Sequence, residues 1–160
     1  MTKESHDVIV RPAKKADMHD VWVWWNDPHT RAMMATKGNV AWTEHRKWFE
    51  HLLTDNSRLL MMGLCSREKI GVVRFDLRRH DTKLYEVSIN LNPLFRGRGL
   101  GSLLLKKSCH YFFKRYRDSN LYANVGVPHN IASQKTFENA GFIRKVDPTN
   151  DFHYELSTKL

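Results

Sequence analysis

Between a segment of alternating apolar and polar residues and a run with helical spacing, the chain carries Arg96-Gly97-Arg98-Gly99-Leu100-Gly101. Glycines at alternate positions let backbone N–H groups crowd around an anion, and the first turn of a following helix adds unpaired donors and favourable partial charge. Phosphate binding is the chemistry such a turn suits, although the same glycines also serve a plain tight turn. The spacing is not the G-x-G-x-x-G of dinucleotide-binding folds, because the third glycine comes one residue early, and no Lys-Ser/Thr follows as in a P-loop. Upstream, Glu86 falls on the polar side of the alternating segment, where a carboxylate can take a proton from a nucleophile directly or through water; its competing role is a charge-paired structural carboxylate. His45 and His51 lie six apart rather than four, so no helical metal pair is indicated and no metal is expected. Cys65 and Cys109 have neither C-x-x-C spacing nor activating neighbours. A zinc ribbon, a disulfide framework and an acyl-cysteine route all lack support, and a reducing cytoplasm is the default compartment.

Those residues need elements to hold them. Val8 to Val10 read as a first strand ended by Arg11-Pro12, and Asp17 as the N-cap of a helix with Val21, Trp22 and Trp25 before Asn26-Asp27-Pro28 breaks it. Thr43 caps a second helix with Trp48, Phe49 and Leu52 on one side. Leu59 to Leu64 and Lys69 to Leu77 form two strands joined near Ser66-Arg67-Glu68, and Arg79-His80-Asp81-Thr82 turns into a third. From Tyr85 to Asn92 the alternation is cleanest: Tyr85, Val87, Ile89 and Leu91 face the core, while Glu86, Ser88, Asn90 and Asn92 form a polar face. The helix after the glycine turn has an apolar stripe of Leu100, Leu104, Tyr111 and Phe112 and a basic one of Lys107, His110, Lys114 and Arg117. A strand through Leu121, Ala123 and Val125, a helix from Asn130 to Ala140 closed by Gly141, and a strand near Phe152 to Leu156 follow. The expected fold class is α/β, a mixed and mainly antiparallel sheet with helices on both faces, in the order β-α-α-β-β-β-α-β-α-β and as one domain over residues 1–160.

The chain has 160 residues, 41% of them hydrophobic, enough to build a core, and 26 Lys and Arg against 17 Asp and Glu give a formal charge of +9. An excess of that size points to an anionic partner. No segment approaches the roughly 20 apolar residues that span a bilayer, and the N-terminus lacks the pattern of a secretion signal, so a cytoplasmic protein without membrane contact is expected. A nucleic-acid-binding role would suit Lys107, Lys114 and Arg117, but no helix-turn-helix, zinc-finger or RNP signature accompanies them.

Arg96-x-x-Gly99-x-Gly101 after an alternating strand resembles the acetyl-CoA pyrophosphate loop, Q/R-x-x-G-x-G/A, of the GNAT N-acetyltransferases. Asn130-x-x-Ser133-x-x-x-Phe137-x-x-x-Gly141-Phe142 is similar to that family's second cofactor motif, and the order of elements is the GNAT order throughout. The resemblance implies a GNAT fold and direct attack of a neutral amine on the thioester of acetyl-CoA. It implies that backbone N–H groups of Arg98, Gly99, Leu100 and Gly101 bind the pyrophosphate and that Ile89 and Leu91 pair with the pantetheine arm. Asn130 would contact that arm or cap its helix, with Ser133 and Phe137 in the same motif, and Arg96, Arg98 and Lys135 would meet the outer phosphates. Glu86 would be the base. Many members carry Tyr where this chain has Phe137, a phenol able to protonate the departing thiolate; Tyr111, Tyr122 and His129 are the substitutes the sequence offers.

Trp25-Asn26-Asp27-Pro28 with Arg31, Glu44-His45-x-x-Trp48-Phe49, and Gly71-x-x-Arg74 resemble a narrower group, the GNAT enzymes such as PseH that acetylate 4-amino-sugars on nucleotide carriers. That resemblance implies a UDP-linked amino-sugar as acceptor, contacted by Arg31, His45 and Trp48, while Trp22, Trp25, Trp42 and Trp48 have core packing as their competing role. A protein N-terminus, an aminoglycoside or a polyamine is the alternative acceptor, and a CoA-binding protein without turnover the non-enzymatic one. A homodimer is an allowed assembly.

Overall fold

A computed structural model of the chain describes residues 7–34, 38–126, 130–146, 148 and 152–157. Seven strands form one sheet in the order β1-β2-β3-β4-β5-β7-β6. They are β1 (Val8–Pro12), β2 (Arg58–Cys65), β3 (Glu68–Arg79), β4 (Leu84–Leu91), β5 (Asn120–Asn124), β6 (Ile143–Lys145) and β7 (His153–Ser157). Neighbours are antiparallel except β4 and β5, which run parallel because α4 (Leu100–Arg115) crosses between them. The remaining helices are α1 (Met18–Trp25), α2 (Pro28–Ala32), α3 (Trp42–Thr54) and α5 (Ile131–Asn139). No helix among the described residues is long and apolar enough to cross a membrane.

Period-2 patterning puts core side chains on both faces of the sheet. On one face Met61, Val73, Phe75, Tyr85 and Val87 pack with Leu104, Leu105 and Phe112 of α4 and Phe137 of α5. On the other, Leu60, Met62 and Val72 receive Met18, Val21 and Trp24 of α1 and Phe49 and Leu52 of α3. The expected mixed sheet with helices on both faces is therefore present. Gly63 of β2 faces Leu104, which any Cβ there would overlap, so α4 lies against the sheet at a glycine.

Several local expectations are corrected. Asn26-Asp27-Pro28 does not simply end a helix; Asp27 accepts the Thr30 N–H, and Pro28 starts α2 at the first-turn position that needs no N–H. Asp17 makes no side-chain cap on α1. It ends a 3-10 turn, Lys15–Asp17, where its buried carboxylate takes the Lys14 N–H and is gripped by Arg11 at 2.7 and 3.0 Å and Lys69 at 2.9 Å. Burial works against that charge, yet Arg11, the Lys14 amide and Lys69 together hold the carboxyl far below the usual range. On α1 the buried tryptophan is Trp24, with Trp22 and Trp25 only half-buried beside it. Thr43 lies inside α3, whose cap position is Ala41. Tyr111 is half-buried rather than core, and Arg117 lies beyond the end of α4. On β4 the alternation fails at its end: Asn90 is buried while Ile89 and Leu91 are half-exposed. The short strand β6, exposed at all three residues, was not expected.

Candidate active site

The defining feature is a fork. β4 and β5 pair only at Leu84 with Asn120, Tyr85 with Leu121 and Glu86 with Tyr122, although β4 continues to Leu91 and β5 to Asn124. Beyond the vertex, β4 stays hydrogen-bonded to β3 on its other side. Its Val87–Leu91 edge, which includes Ile89 and Leu91, is thus open to a ligand carrying its own N–H and C=O groups.

At the upper end of that edge, Asn92 caps a 3-10 turn, Pro93–Phe95, by accepting the Leu94 N–H. The chain then enters α4 through Gly99, the helix N-cap, at φ 73°. That left-handed conformation costs a side chain but suits glycine, and nothing lies within 4 Å of where a Cβ would sit. The N–H groups of Leu100 and Gly101 follow in the first turn of a helix of 16 residues, the geometry expected of an anion cradle.

The side chains expected to help divide. Arg98 is exposed, its guanidinium 5.1 Å from the Phe95 ring centroid, and Lys135 and half-buried Ser133 lie on the first turns of α5. Arg96 is committed elsewhere: it contacts Asp27 Oδ2 at 2.9 Å and donates to Thr30 Oγ1 at 2.6 Å, joining the loop to α2. Asn130 takes the second of its two expected roles, accepting the Ser133 N–H at 3.2 Å as cap of α5. Phe137 is corrected from the cofactor surface to the core, packed edge-on to Phe142 at 5.1 Å and stacked with Tyr154 at 6.1 Å. His129 lies outside the described residues.

On the opposite side of the sheet, the face not covered by α4 and α5, Glu86 accepts from Arg78 Nε at 2.7 Å and lies 2.6 Å from its terminal nitrogen. A register shift between Leu77 and Arg79 bulges β3 at Arg78 and aims it there. Asp76 sits directly across from Glu86, and Arg74 Nε, 2.9 Å from Asp76 Oδ2, offsets the like charges. Tyr122 pairs in register with Glu86 at the vertex, and its ring stacks on His153 at 5.4 Å. Burial first, and then the Glu86 charge, raise its pKa above that of a free phenol.

Further along this face a pocket of about 170 Å³ is lined by Trp25, Val40, Glu44, His45, Trp48 and Arg74. Trp25 and Trp48 stack at 6.4 Å, and Arg74 lies 5.9 and 5.6 Å from their centroids, with Arg31 6.0 Å from Trp25. Val40 is fixed there because its carbonyl accepts from Trp22 Nε1 and Asn26 Nδ2 and its N–H donates to Asn26 Oδ1. His45 is buried, and that burial keeps its pKa low. Its Nε2 carries the hydrogen, since the Met18 carbonyl 2.9 Å away only accepts, so this ring is first a packed, neutral histidine. The pocket thus brings His45 and Trp48 together with Trp25 and Arg74, while Arg31 lies outside its lining, beside Trp25. Arg78 had no motif to announce it, although Arg74 and Asp76 share a strand face that period-2 reading places opposite Glu86.

Cys65 and Cys109 are both buried and free, and burial pushes the Cys109 thiol up, away from the thiolate a nucleophile needs. Among the described residues no group of three His, Cys, Asp or Glu side chains could hold a metal ion.

Residues 7–143 match the family described as acetyltransferase (GNAT) domain. The chain belongs to the GNAT acetyltransferases. Its donor is accordingly acetyl-CoA and its reaction acetyl transfer. No curated protein matches this acetyltransferase by sequence. Among solved structures it is similar to the aminoglycoside acetyltransferase AAC(6')-Ib in complex with coenzyme A and kanamycin, at 17% identity over 96% of each chain with a TM-score of 0.80. It is similar as well to a domain from Methanocaldococcus jannaschii, at 20% identity over 96% and 99% of the two chains with a TM-score of 0.78. The spermidine N-acetyltransferase from Vibrio cholerae, in complex with coenzyme A and spermine, gives 15% identity over 92% and 91% with a TM-score of 0.76. At these identities the likeness is one of fold.

Proposed function

We propose that this acetyltransferase N-acetylates the 4-amino group of a UDP-linked amino-sugar in the cytoplasm. The pyrophosphate of acetyl-CoA would lie on the N–H groups of Arg98 to Gly101, and its pantetheine arm along the open edge of β4. The amine, approaching from the pocket face, would lose its proton to Glu86 directly or through water and attack the thioester carbonyl.

The observation that carries the acceptor class is Arg74, within 6 Å of the rings of both Trp25 and Trp48, with Arg31 beside Trp25. Flat indole faces suit sugar and base rings, and guanidinium groups suit a pyrophosphate. The same cations oppose an acceptor with several positive charges, such as the kanamycin and spermine bound by the structural neighbours. Glu44 gives the pocket one carboxylate with which to receive a single ammonium group.

An acetyl-transfer assay comparing a UDP-linked 4-amino-sugar, an aminoglycoside, a polyamine and a peptide N-terminus tests this directly. Preference for the sugar nucleotide is expected. Turnover of a peptide or polycation with none of the sugar nucleotide refutes the reading. In the expected case, Arg74→Leu raises KM for the sugar nucleotide at least tenfold and leaves acetyl-CoA affinity unchanged.

A further inference from the structure

Acetyl transfer must end with a proton on the leaving sulfur, and the buried Phe137 has none to give. Of the five tyrosines in the chain, four are placed elsewhere. Tyr85 and Tyr116 pack against Phe112 at 4.8 Å on the α4 face. Tyr111 lines a basic groove beside Lys107 and Lys114, and Tyr154 is fully buried with its hydroxyl donating to Glu138. Tyr122 stands at the vertex of the fork, level with Glu86 and on the same side of the sheet.

Resting on the reading that the pantetheine arm lies along β4, we infer that Tyr122 is the general acid that protonates the leaving thiolate. Length supports the placement. From Leu91 to Glu86 the strand covers five residues, about 17 Å. The arm from phosphate to sulfur has about twelve bonds, the equivalent of four extended residues, or roughly 14 Å. An arm starting level with Leu91 therefore reaches about to Val87, the residue next to the vertex.

The charges there suit a donor. Tyr122 keeps its proton at neutral pH because burial and Glu86 disfavour the phenolate, while the positive charge of Arg78, held at Glu86, supports the anion once the proton has gone. In the step itself the amine nitrogen bonds to the carbonyl carbon, the carbon–sulfur bond breaks with its electron pair on sulfur, and the Tyr122 proton passes to sulfur. The proton taken from nitrogen by Glu86 then returns to the oxygen of Tyr122, its register neighbour across the vertex. One proton circulates, and the products are the amide and free coenzyme A.

The test compares wild type with Tyr122→Phe, using a UDP-linked 4-amino-sugar as acceptor and two donors, acetyl-CoA and its selenoester analogue, whose selenolate leaves without needing a proton. With acetyl-CoA, Tyr122→Phe is expected to lower kcat about 10²-fold and leave calorimetric acetyl-CoA affinity unchanged. With the selenoester the loss should shrink to within about threefold. Wild-type kcat in the variant, or an equal loss with both donors, overturns the assignment, the second outcome marking a structural role. Where wild type prefers another amine of the four-acceptor assay, which refutes the sugar reading alone, the same two-donor comparison is made with that amine; a wild-type protein that turns over none of the four overturns this inference as well.

Discussion

Arg96 of the glycine loop and Asp27 at the head of α2 meet at 2.9 Å, so the segment that receives the donor is tied to the helices that shape the acceptor pocket. Asp27 also caps α2 through the Thr30 N–H, and Thr30 Oγ1 lies 3.4 Å from Asn90 Oδ1 on β4. Asp27→Ala removes a cap worth about 1 kcal/mol and a partly exposed ion pair worth about 0.5 kcal/mol. A melting temperature lower by about 3–6 °C is expected. Asp27→Asn, which can keep the cap, should lose less than half as much, and equal losses in the two variants would contradict this division.

Gly99→Ala separates backbone strain from ligand exclusion. A left-handed alanine costs about 1 kcal/mol in the free protein, where no atom meets its Cβ. The same Cβ would occupy the space offered to the pyrophosphate, so calorimetry should show acetyl-CoA binding weakened more than tenfold in a variant that still melts cooperatively. Unchanged affinity would move the phosphate away from this loop.

For Glu86→Gln, acetyl-CoA affinity should hold while kcat at neutral pH falls about 10²-fold, with partial recovery at high pH, where more of the amine is already neutral. A glutamine can still accept from Arg78, which limits structural disturbance. Wild-type kcat at neutral pH would leave His45 or a bound water to take the proton.

Asp17 should make stability fall in acid. Its folded carboxyl lies far below the ordinary value of 3.8, so the stability it contributes is complete above about pH 5 and is lost as the pH drops through 3.8 towards the folded value. Asp17→Asn leaves Arg11 without its carboxylate and should cost about 2–3 kcal/mol at pH 7, less than a fully enclosed pair because both cations are partly exposed. Urea unfolding at pH 7, 5 and 3 should show the gap between variant and wild type constant over the first two and smaller at the third. A gap that widens at pH 3 has the wrong sign for this mechanism.

What could be read from the chain alone was whatever one element holds complete. β4, the glycine turn and α4 are consecutive, and their periods change from two to helical across three glycines. Proline misled at position 28, because Asp-Pro both ends one helix and begins the next. Asn90 looked solvent-facing because its cover, Thr30, comes from 60 residues away. The Trp25–Arg74–Trp48 group joins α1, β3 and α3, and β6 is too short to show any period. Tyr122 was one residue among several until the pairing of β5 set it beside Glu86.

Among the described residues, three register pairs are the whole of the strand pairing between β4 and β5, and the core beneath α4 supplies the rest of what joins strands β1–β4 to strands β5, β7 and β6. The sheet is therefore two leaves on a narrow seam, and the smaller leaf carries Tyr122 and His153. A pantetheine arm lying in the opening would brace them, its amides bonding where the strands do not, so amide protons of Val87 to Leu91 should exchange more slowly once it is seated. The donor is then a splint as well as a reagent, steadying the leaf that acts on it.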